Sequence, residues 1–592
     1  MSLHSYLTKI AEKESHGTGI QALKSWFKPY DHQKKAIDKM FSNRGRMILA
    51  HEMGLGKTVT AIYGFERLRH EGKATNALVV VPSGLRDNFA KNGVEKFTDS
   101  EYQVVGSAKE TREKANYTRP ENVKNNKKYT VVSYAMFRRD PVGLMRRAGA
   151  DTMILDEFHK VRNERASTFK AAMQARQVAT NFMGLTASLI NNRPSEIATL
   201  MTISENQRQM TPAQFRRKFT KTVGFAKGFS GGKKKVRGLK NVPELLQRTV
   251  PRIDYADTSQ VKGKTMPTKD IKDVQVPMSK DQYRLYQLAL KRLGPVAEYI
   301  TRRDPDVSVK DAEMIFAQIS QARQIANSVH TGRKNVSVKR SAEITPKVKR
   351  LLDDTVEHLN EKGDNKVVLY SNLVKGGVDV LSAGLRSRGI DHAVFVGKGT
   401  DVGGTKVTAI SRQKGVQDYK EGKKKVIILS GAGAEGLDLK NSTAFFALDG
   451  YFNPQRILQA EARARRLGGQ AHRKPEERKV KIRRYQSTVP ADARPGIFGK
   501  MLGKSTPQTT DEWMYNVAGR KFGVTDRFYK AFREPHKYIR KYRGSDGKMR
   551  YIYPKKEKPQ SIWRRFFGSK PKDNRAAAPP KPQAVKQPGA KV

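Results

Sequence analysis

The sequence predicts an α/β fold: two tandem lobes, each a parallel sheet flanked by helices, joined by a helical linker and followed by a basic, partly disordered C-terminal tail. Three observations predict it. Short β-branched runs alternate with amphipathic, helix-like stretches in two separate series, the pattern of strands buried between helices. About a hundred residues between the series read as helical and basic. From Lys570 the chain is rich in Pro, Ala, Gln and Lys without any periodicity, so no packed structure is expected there.

The first series consists of Arg46–Ala50, Ala77–Val81, Thr130–Ser133, Thr152–Leu155 and Asn181–Leu185. The second consists of Lys366–Tyr370, His392–Val396, Lys425–Leu429, Ala444–Leu448 and Lys479–Tyr485. In the intervening stretch, Ile315, Ile319, Ala322 and Ala326 fall on one helical face. The expected organisation is an N-terminal segment 1–24, a first lobe 25–252, a linker 253–343 and a second lobe 344–534. A basic hairpin with an aromatic segment (535–569) and the tail (570–592) complete it.

Composition narrows the partners. The 592 residues suit about three or four domains. Lys and Arg total 115 against 57 Asp and Glu, a formal net charge of +58. Such an excess repels itself unless a polyanion neutralises it, and nucleic acid is the obvious one. A membrane is not expected, because no apolar stretch approaches the ~20 residues of a spanning helix. The N-terminus, MSLHSYLTKIAEKES, lacks the apolar core of a signal peptide. The absence of cysteine excludes disulfides, thiolate zinc sites and cysteine nucleophiles, and fits a reducing cytoplasm.

Three motifs carry chemistry. The strand ending at Ala50 runs into HEMGLGKT and then into a helical stretch, the order a phosphate-binding loop requires. Gly54 and Gly56 let backbone N–H groups approach phosphates, Lys57 would meet the β- and γ-phosphates, and Thr58 would hold Mg²⁺. A second buried strand ends in Asp156-Glu157-Phe158-His159. Acidic residues at the C-terminal end of a parallel strand sit where ligands bind, so Asp156 can hold the metal and Glu157 can polarise a water. In the second lobe, Gln459, Arg463 and Arg466 fall on one side of a predicted helix. They are either a solvated basic face or a set that reaches the γ-phosphoryl group across a cleft.

Together these segments resemble the Swi/Snf-type superfamily-two nucleic-acid motors, in matching order from about Pro29 to Lys521. Tyr30-Asp-His-Gln33 resembles the adenine-reading Q motif, LAHEMGLGKT the phosphate loop, and LDEFHKVRN the DEAH-type box. LVVVPSGLRDNF, GLTASLINNRPSEIATLM, VVLYSNL, LSGAGAEGLDL and DGYFNPQRILQAEARARRLG follow in the family's order, with VPMSKDQYRLY and ARQIANSVH in the linker. Arg193-Pro194-Ser-Glu196 looks most like the branch-migrating, strand-annealing relatives. The resemblance implies two RecA-like lobes that bind ATP and Mg²⁺ and move on duplex or forked DNA. It implies Ser83, Ser133 and Ser371 at the DNA backbone, and LTAS as a relay between the DNA and ATP sites.

Several positions depart from the family pattern. His51 replaces an acidic residue, Phe158 a small one, and Ala187 and Ser188 stand for Gly and Thr. Phe452 replaces a tryptophan, and the LSGAGAEGLDL loop is one residue short. The most direct reading is an ATP-driven translocase on double-stranded DNA. The alternatives are an RNA or forked-DNA helicase of DExH type, and a non-catalytic basic nucleic-acid-binding protein, for example one packaged with phage DNA in a virion.

The basic surfaces fit any of these. Between Asn206 and Pro243 lie eleven Lys or Arg and no acid, including Arg216, Arg217, Lys218, Lys233, Lys234 and Lys235, interleaved with Phe215, Phe219 and Phe225. A single-sign stretch favours phosphate contact over a solvated face. HKYIRKYRGSDGKMRYIYPKK reads as a hairpin whose tyrosines and arginines either grip nucleic acid or cover the second lobe.

Overall fold

The computed structural model describes residues 20–551 apart from 115–116, 191–192, 227–232, 259–265, 295–296, 298–299, 301–314, 316–317, 398, 432–436, 452–453, 467, 495–506, 535–540 and 544–548. The expected tail, the SIWRRFFGSK segment, Phe452 and residues 432–436 of the LSGAGAEGLDL loop lie outside the described residues.

Seven strands open the first lobe: β1 (Arg46–His51), β2 (Ala77–Val81), β3 (Tyr102–Val105), β4 (Tyr117–Thr118), β5 (Tyr129–Ser133), β6 (Thr152–Asp156) and β7 (Asn181–Leu185). A separate antiparallel ribbon of β8 (Thr220–Ala226) and β9 (Lys233–Leu239) follows, and β10 (Ile253–Ala256) returns to the sheet. The order is β10-β1-β7-β6-β2-β5-β3-β4, with every pairing parallel. All five residues of β2 and of β5 are buried, as strands covered on both faces must be. The two apolar clusters on either face include Phe158 and Phe182 on one side and Phe65 and Phe89 on the other.

The second lobe contains β11 (Thr268–Pro277), β12 (Val367–Ser371), β13 (His392–Phe395), the short antiparallel pair β14 (Asp401–Val402) and β15 (Thr405–Lys406), β16 (Val426–Ser430), β17 (Ala444–Ala447) and β18 (Lys479–Thr488). Its sheet runs β11-β18-β17-β12-β16-β13, again wholly parallel.

Two strands differ from the sequence expectation, which assigns 253–343 to a helical linker. Ile253–Ala256 is an edge of the first sheet, and Thr268–Pro277 is an edge of the second, paired along its full length with β18. The reason is physical. TKDIKDVQVP has only one face against protein, so it shows no apolar run. Between them and the second lobe, Ile315, Ile319, Ala322 and Ala326 are buried together as their spacing predicts.

Of the aromatic residues interleaved with the basic stretch, Phe215 and Phe219 are buried in the core, edge to face at 5.1 Å. Phe158, the bulky departure in the acidic box, is fully buried, and Gly184 on the neighbouring strand makes room for it. A methyl group at Gly184 would come within 2.5 Å of the Phe158 ring. Gly184→Ala should therefore destabilise the first lobe by about 1–3 kcal/mol, read as a lower urea midpoint with an unchanged slope. An unchanged midpoint would show that the ring has room to move. The C-terminal hairpin forms at Lys541–Arg543 and Met549–Tyr551, with Tyr542 opposite Arg550.

Candidate nucleotide site between the lobes

The phosphate loop follows β1 directly and ends at the helix Lys57–His70. Gly54 and Gly56 have φ of 85° and 77°, left-handed values that disfavour any side chain. Both also admit close neighbours. A Cβ on Gly56 would lie 2.9 Å from Gln33 Nε2, and one on Gly54 would lie 3.3 Å from the Arg465 carbonyl oxygen. The second lobe thus approaches the loop where glycine leaves space.

Gln33 is buried on the helix Asp31–Ser42. Its Oε1 accepts from Tyr30 N–H at 2.9 Å, and its Nε2 lies 3.5 Å from the Gly56 carbonyl. The neighbouring His32 Nε2 is 3.0 Å from the Leu55 carbonyl, so this helix holds the loop from outside.

Lys57 Nζ donates to the His51 carbonyl at 2.9 Å. Burial lowers its pKa, against the opposing pull of the Glu157 and Asp156 carboxylates. Asp156 is pushed up by burial and by the charge of Glu157, with Lys57 and Arg463 counteracting. Tyr134 donates its hydroxyl to the Asp156 carbonyl at 2.7 Å, which fixes the end of β6. Glu157 has φ of 51°, and a non-glycine residue in that region stores roughly 1–3 kcal/mol of strain. Its Oε2 is buried 3.3 Å from His159 Nδ1, without a hydrogen-bond partner among the described residues. His159 Nδ1 is also 3.3 Å from Thr186 Oγ1, which donates to the Ser188 carbonyl at 3.0 Å and accepts from Ser188 N–H at 3.1 Å. The LTAS segment therefore touches the acidic box through His159, a residue the sequence reading left without a role.

The departure at His51 is matched in space. Its imidazole is buried with Nε2 2.8 Å from Asp254 Oδ2, so β10 supplies a carboxylate beside the position that is usually acidic. Burial holds the imidazole pKa down, with Asp254 opposing.

Across the cleft, the helix Pro454–Ala464 carries Gln459 and Arg463, both half-buried. Arg466 lies past the end of this helix, so the predicted continuous helical face is corrected. It is a turn that delivers Arg466, with Nη2 donating to the Leu437 carbonyl at 3.0 Å and Nε 3.7 Å from Asp438 Oδ1. Burial and the charge of Arg463 lower its pKa, while Asp438 and Glu157 oppose them. Lys57 in turn feels the charges of both arginines. Arg465, part of the same arginine motif but given no role of its own by the sequence, is buried, donates Nε to the Pro267 carbonyl at 2.5 Å and feels the charge of Glu52 in the phosphate loop.

These residues fit ATP and Mg²⁺. Two left-handed glycines, the half-buried Lys57, Thr58 in the first helical turn, an Asp156 carboxyl whose pKa burial raises and a buried Glu157 oxygen without a hydrogen bond among the described residues form a set that suits a polyanion and a divalent cation. Lys57 and the loop amides would hold the phosphates, Thr58 and Asp156 the metal. Bound Mg²⁺ supplies charge neutralisation on the phosphate oxygens.

Of the nucleic-acid candidates, Ser83 is exposed at the end of β2, and Arg216 and Arg217 are exposed on the helix Pro212–Phe219. Lys218 is paired with Glu244 at 2.5 Å. Lys233, Lys234 and Lys235 lie on β9, with Lys235 opposite Val223. Ser133 and Ser371 are corrected. Ser133 is buried and its hydroxyl caps a helix by accepting from Met136 N–H at 3.3 Å. Ser371 is buried with its hydroxyl given to Asp449 and to the Leu373 carbonyl. Neither hydroxyl is open to a phosphate.

Comparison with known proteins agrees with this geometry. The SNF2-related domain matches residues 32–335, and the helicase conserved C-terminal domain matches 346–468. A putative ATP-dependent RNA helicase of Acanthamoeba polyphaga mimivirus is 25% identical, over 84% of this chain and 95% of its own length. The uncharacterized ATP-dependent helicase YqhH of Bacillus subtilis is 24% identical, over 75% of this chain and 73% of its own. The termination factor NPH-I homolog of African swine fever virus is 22% identical, over 81% and 76%. Among solved structures, the Sulfolobus solfataricus SWI2/SNF2 ATPase core in complex with dsDNA is 19% identical over 86% of this chain and 97% of its own, with a TM-score of 0.34. No helix among the described residues is long and apolar enough to cross a membrane. With two RecA-like lobes and the family match spanning more than half of its length, the chain belongs to the SNF2-related family of helicase-like ATPases.

Proposed function

We propose that the protein is an ATP-driven translocase on double-stranded DNA that remodels DNA or displaces bound protein. The observation that carries this reading is the approach of Arg463 and Arg466, from the second lobe, to Lys57, Asp156 and Glu157 of the first. Charges from both lobes meet at one phosphate site, so hydrolysis and lobe closure are coupled, as a stepping motor requires. A net charge of +58 supplies affinity for a polyanion. Ser83, Arg216 and Arg217 offer the exposed contacts. The meeting of Lys57, Asp156 and Glu157 with arginines of the second lobe weighs against a purely non-catalytic binding role, which has no need of that arrangement.

Steady-state ATPase with duplex DNA, single-stranded DNA, forked DNA and RNA as activators tests the reading. Duplex DNA is expected to stimulate most, and duplex length should set the stimulation up to a plateau. Stronger stimulation by RNA would replace the proposal with an RNA helicase, the function for which the mimivirus relative is named. No turnover with any activator would leave the non-catalytic account.

A further inference from the structure

The helix Thr510–Arg533 belongs to both lobes. Its 24 residues span about 36 Å, enough to run from one lobe to the other. At its start, Trp513 and Met514 pack into the linker core and Tyr515 into the second lobe. The buried Asp511 carboxylate accepts from Lys347 Nζ at 2.5 Å and from Ser487 N–H at 2.9 Å. At its end, Phe528 and Phe532 complete the core of the first lobe, and Arg533 pairs with Asp257.

Between these anchors, the buried Tyr529 stacks on Tyr255 of β10 with ring centroids 5.2 Å apart. Its phenol oxygen accepts from Leu189 N–H at 2.9 Å. Leu189 immediately follows Thr186-Ala187-Ser188, the segment whose threonine hydroxyl meets His159 beside Glu157. Buried amides need acceptors, and the loop finds one on a side chain 340 residues away in sequence.

We infer that Tyr529 is a positioning residue for ATP hydrolysis: its hydroxyl, carried on a helix anchored in the second lobe, sets the Thr186–Ile190 loop and, through Thr186 and His159, the carboxylate of Glu157. Without the hydroxyl, the buried Leu189 amide loses its acceptor and the loop moves to recover a partner. A shift of about 1 Å at Glu157 is enough to misplace an attacking water. The inference rests on the ATPase reading of Glu157, but not on which nucleic acid activates it.

Tyr529→Phe in the full-length protein removes only the hydroxyl. It is expected to lower kcat by roughly 10- to 100-fold while KM for ATP, equilibrium nucleotide binding and melting temperature stay near wild type. Phe528→Leu disturbs the same core with no hydrogen bond at stake, and should cost stability while leaving kcat within about twofold. In a double-mutant cycle, Tyr529→Phe and His159→Asn should be strongly non-additive, since both act along one line of contacts. Wild-type kcat in Tyr529→Phe would overturn the inference. So would losses in kcat that track the fall in stability equally in Tyr529→Phe and Phe528→Leu, or additive losses in the cycle. An inactive wild-type protein would instead overturn the ATPase reading itself.

Discussion

Arg463→Ala and Arg466→Ala are each expected to lower ATP turnover at saturating nucleic acid by roughly 10³-fold or more, while nucleotide affinity changes little. The reason is differential binding. Both guanidinium groups come from the second lobe, and under the proposed reading they would meet the γ-phosphoryl group only where the lobes close, acting on the transition state more than on the ground state. Burial and the charge of Arg463 lower the pKa of Arg466, while Asp438 and Glu157 oppose them. Lysine should not rescue either position, because an ammonium lacks the planar fork of donors. Nucleic-acid binding without nucleotide should survive, since Ser83, Arg216 and Arg217 lie elsewhere on the first lobe. Steady-state ATPase paired with equilibrium nucleotide binding makes the distinction. Normal turnover in both variants would return the arginines to a solvated basic face.

The second large effect separates two residues that face each other across the phosphate loop. Glu157→Gln keeps shape but loses the base, so turnover should fall by roughly 10²- to 10⁴-fold with ATP still bound. It should also accumulate the closed, nucleic-acid-bound state, because the step that reopens the lobes is missing. Lys57→Ala removes the cation that balances Asp156 and Glu157. Two carboxylates then remain without it, which repels ATP phosphates, so nucleotide binding itself should weaken along with turnover. Turnover within about twofold of wild type in either variant rules out this site. Equal loss of ATP binding in both would show that Glu157 holds nucleotide rather than activating water.

Much of this site was legible because each motif is local. A strand, two glycines, Lys57 and Thr58 are contiguous, and Asp156-Glu157 closes its own strand. The central strands were legible for a related reason: buried on both faces, they read as apolar runs. The edge strands β10 and β11 were not legible, since one face meets solvent or a loop and the apolar run disappears. Arg466 comes near Lys57 by a route other than the predicted one. Helical spacing predicted a shared face, whereas the helix stops at Ala464 and a turn completes the delivery. Ser133 and Ser371 show the opposite failure, because motif position says nothing about whether a hydroxyl is already engaged.

The sequence by itself determined the two α/β lobes, the phosphate loop, the acidic box and the polyanion-seeking charge, because periodicity, local spacing and composition are properties of neighbouring residues. Only the tertiary structure decided what lies opposite what. It set Gly184 beneath Phe158, Asp254 beside His51, Arg465 against the Gly54 loop and Tyr529 under the amide of Leu189. Those pairings join residues from 26 to 411 positions apart. Their energies come from burial, which closes space and removes competing water, and no local pattern in the chain encodes which distant partner will fill it.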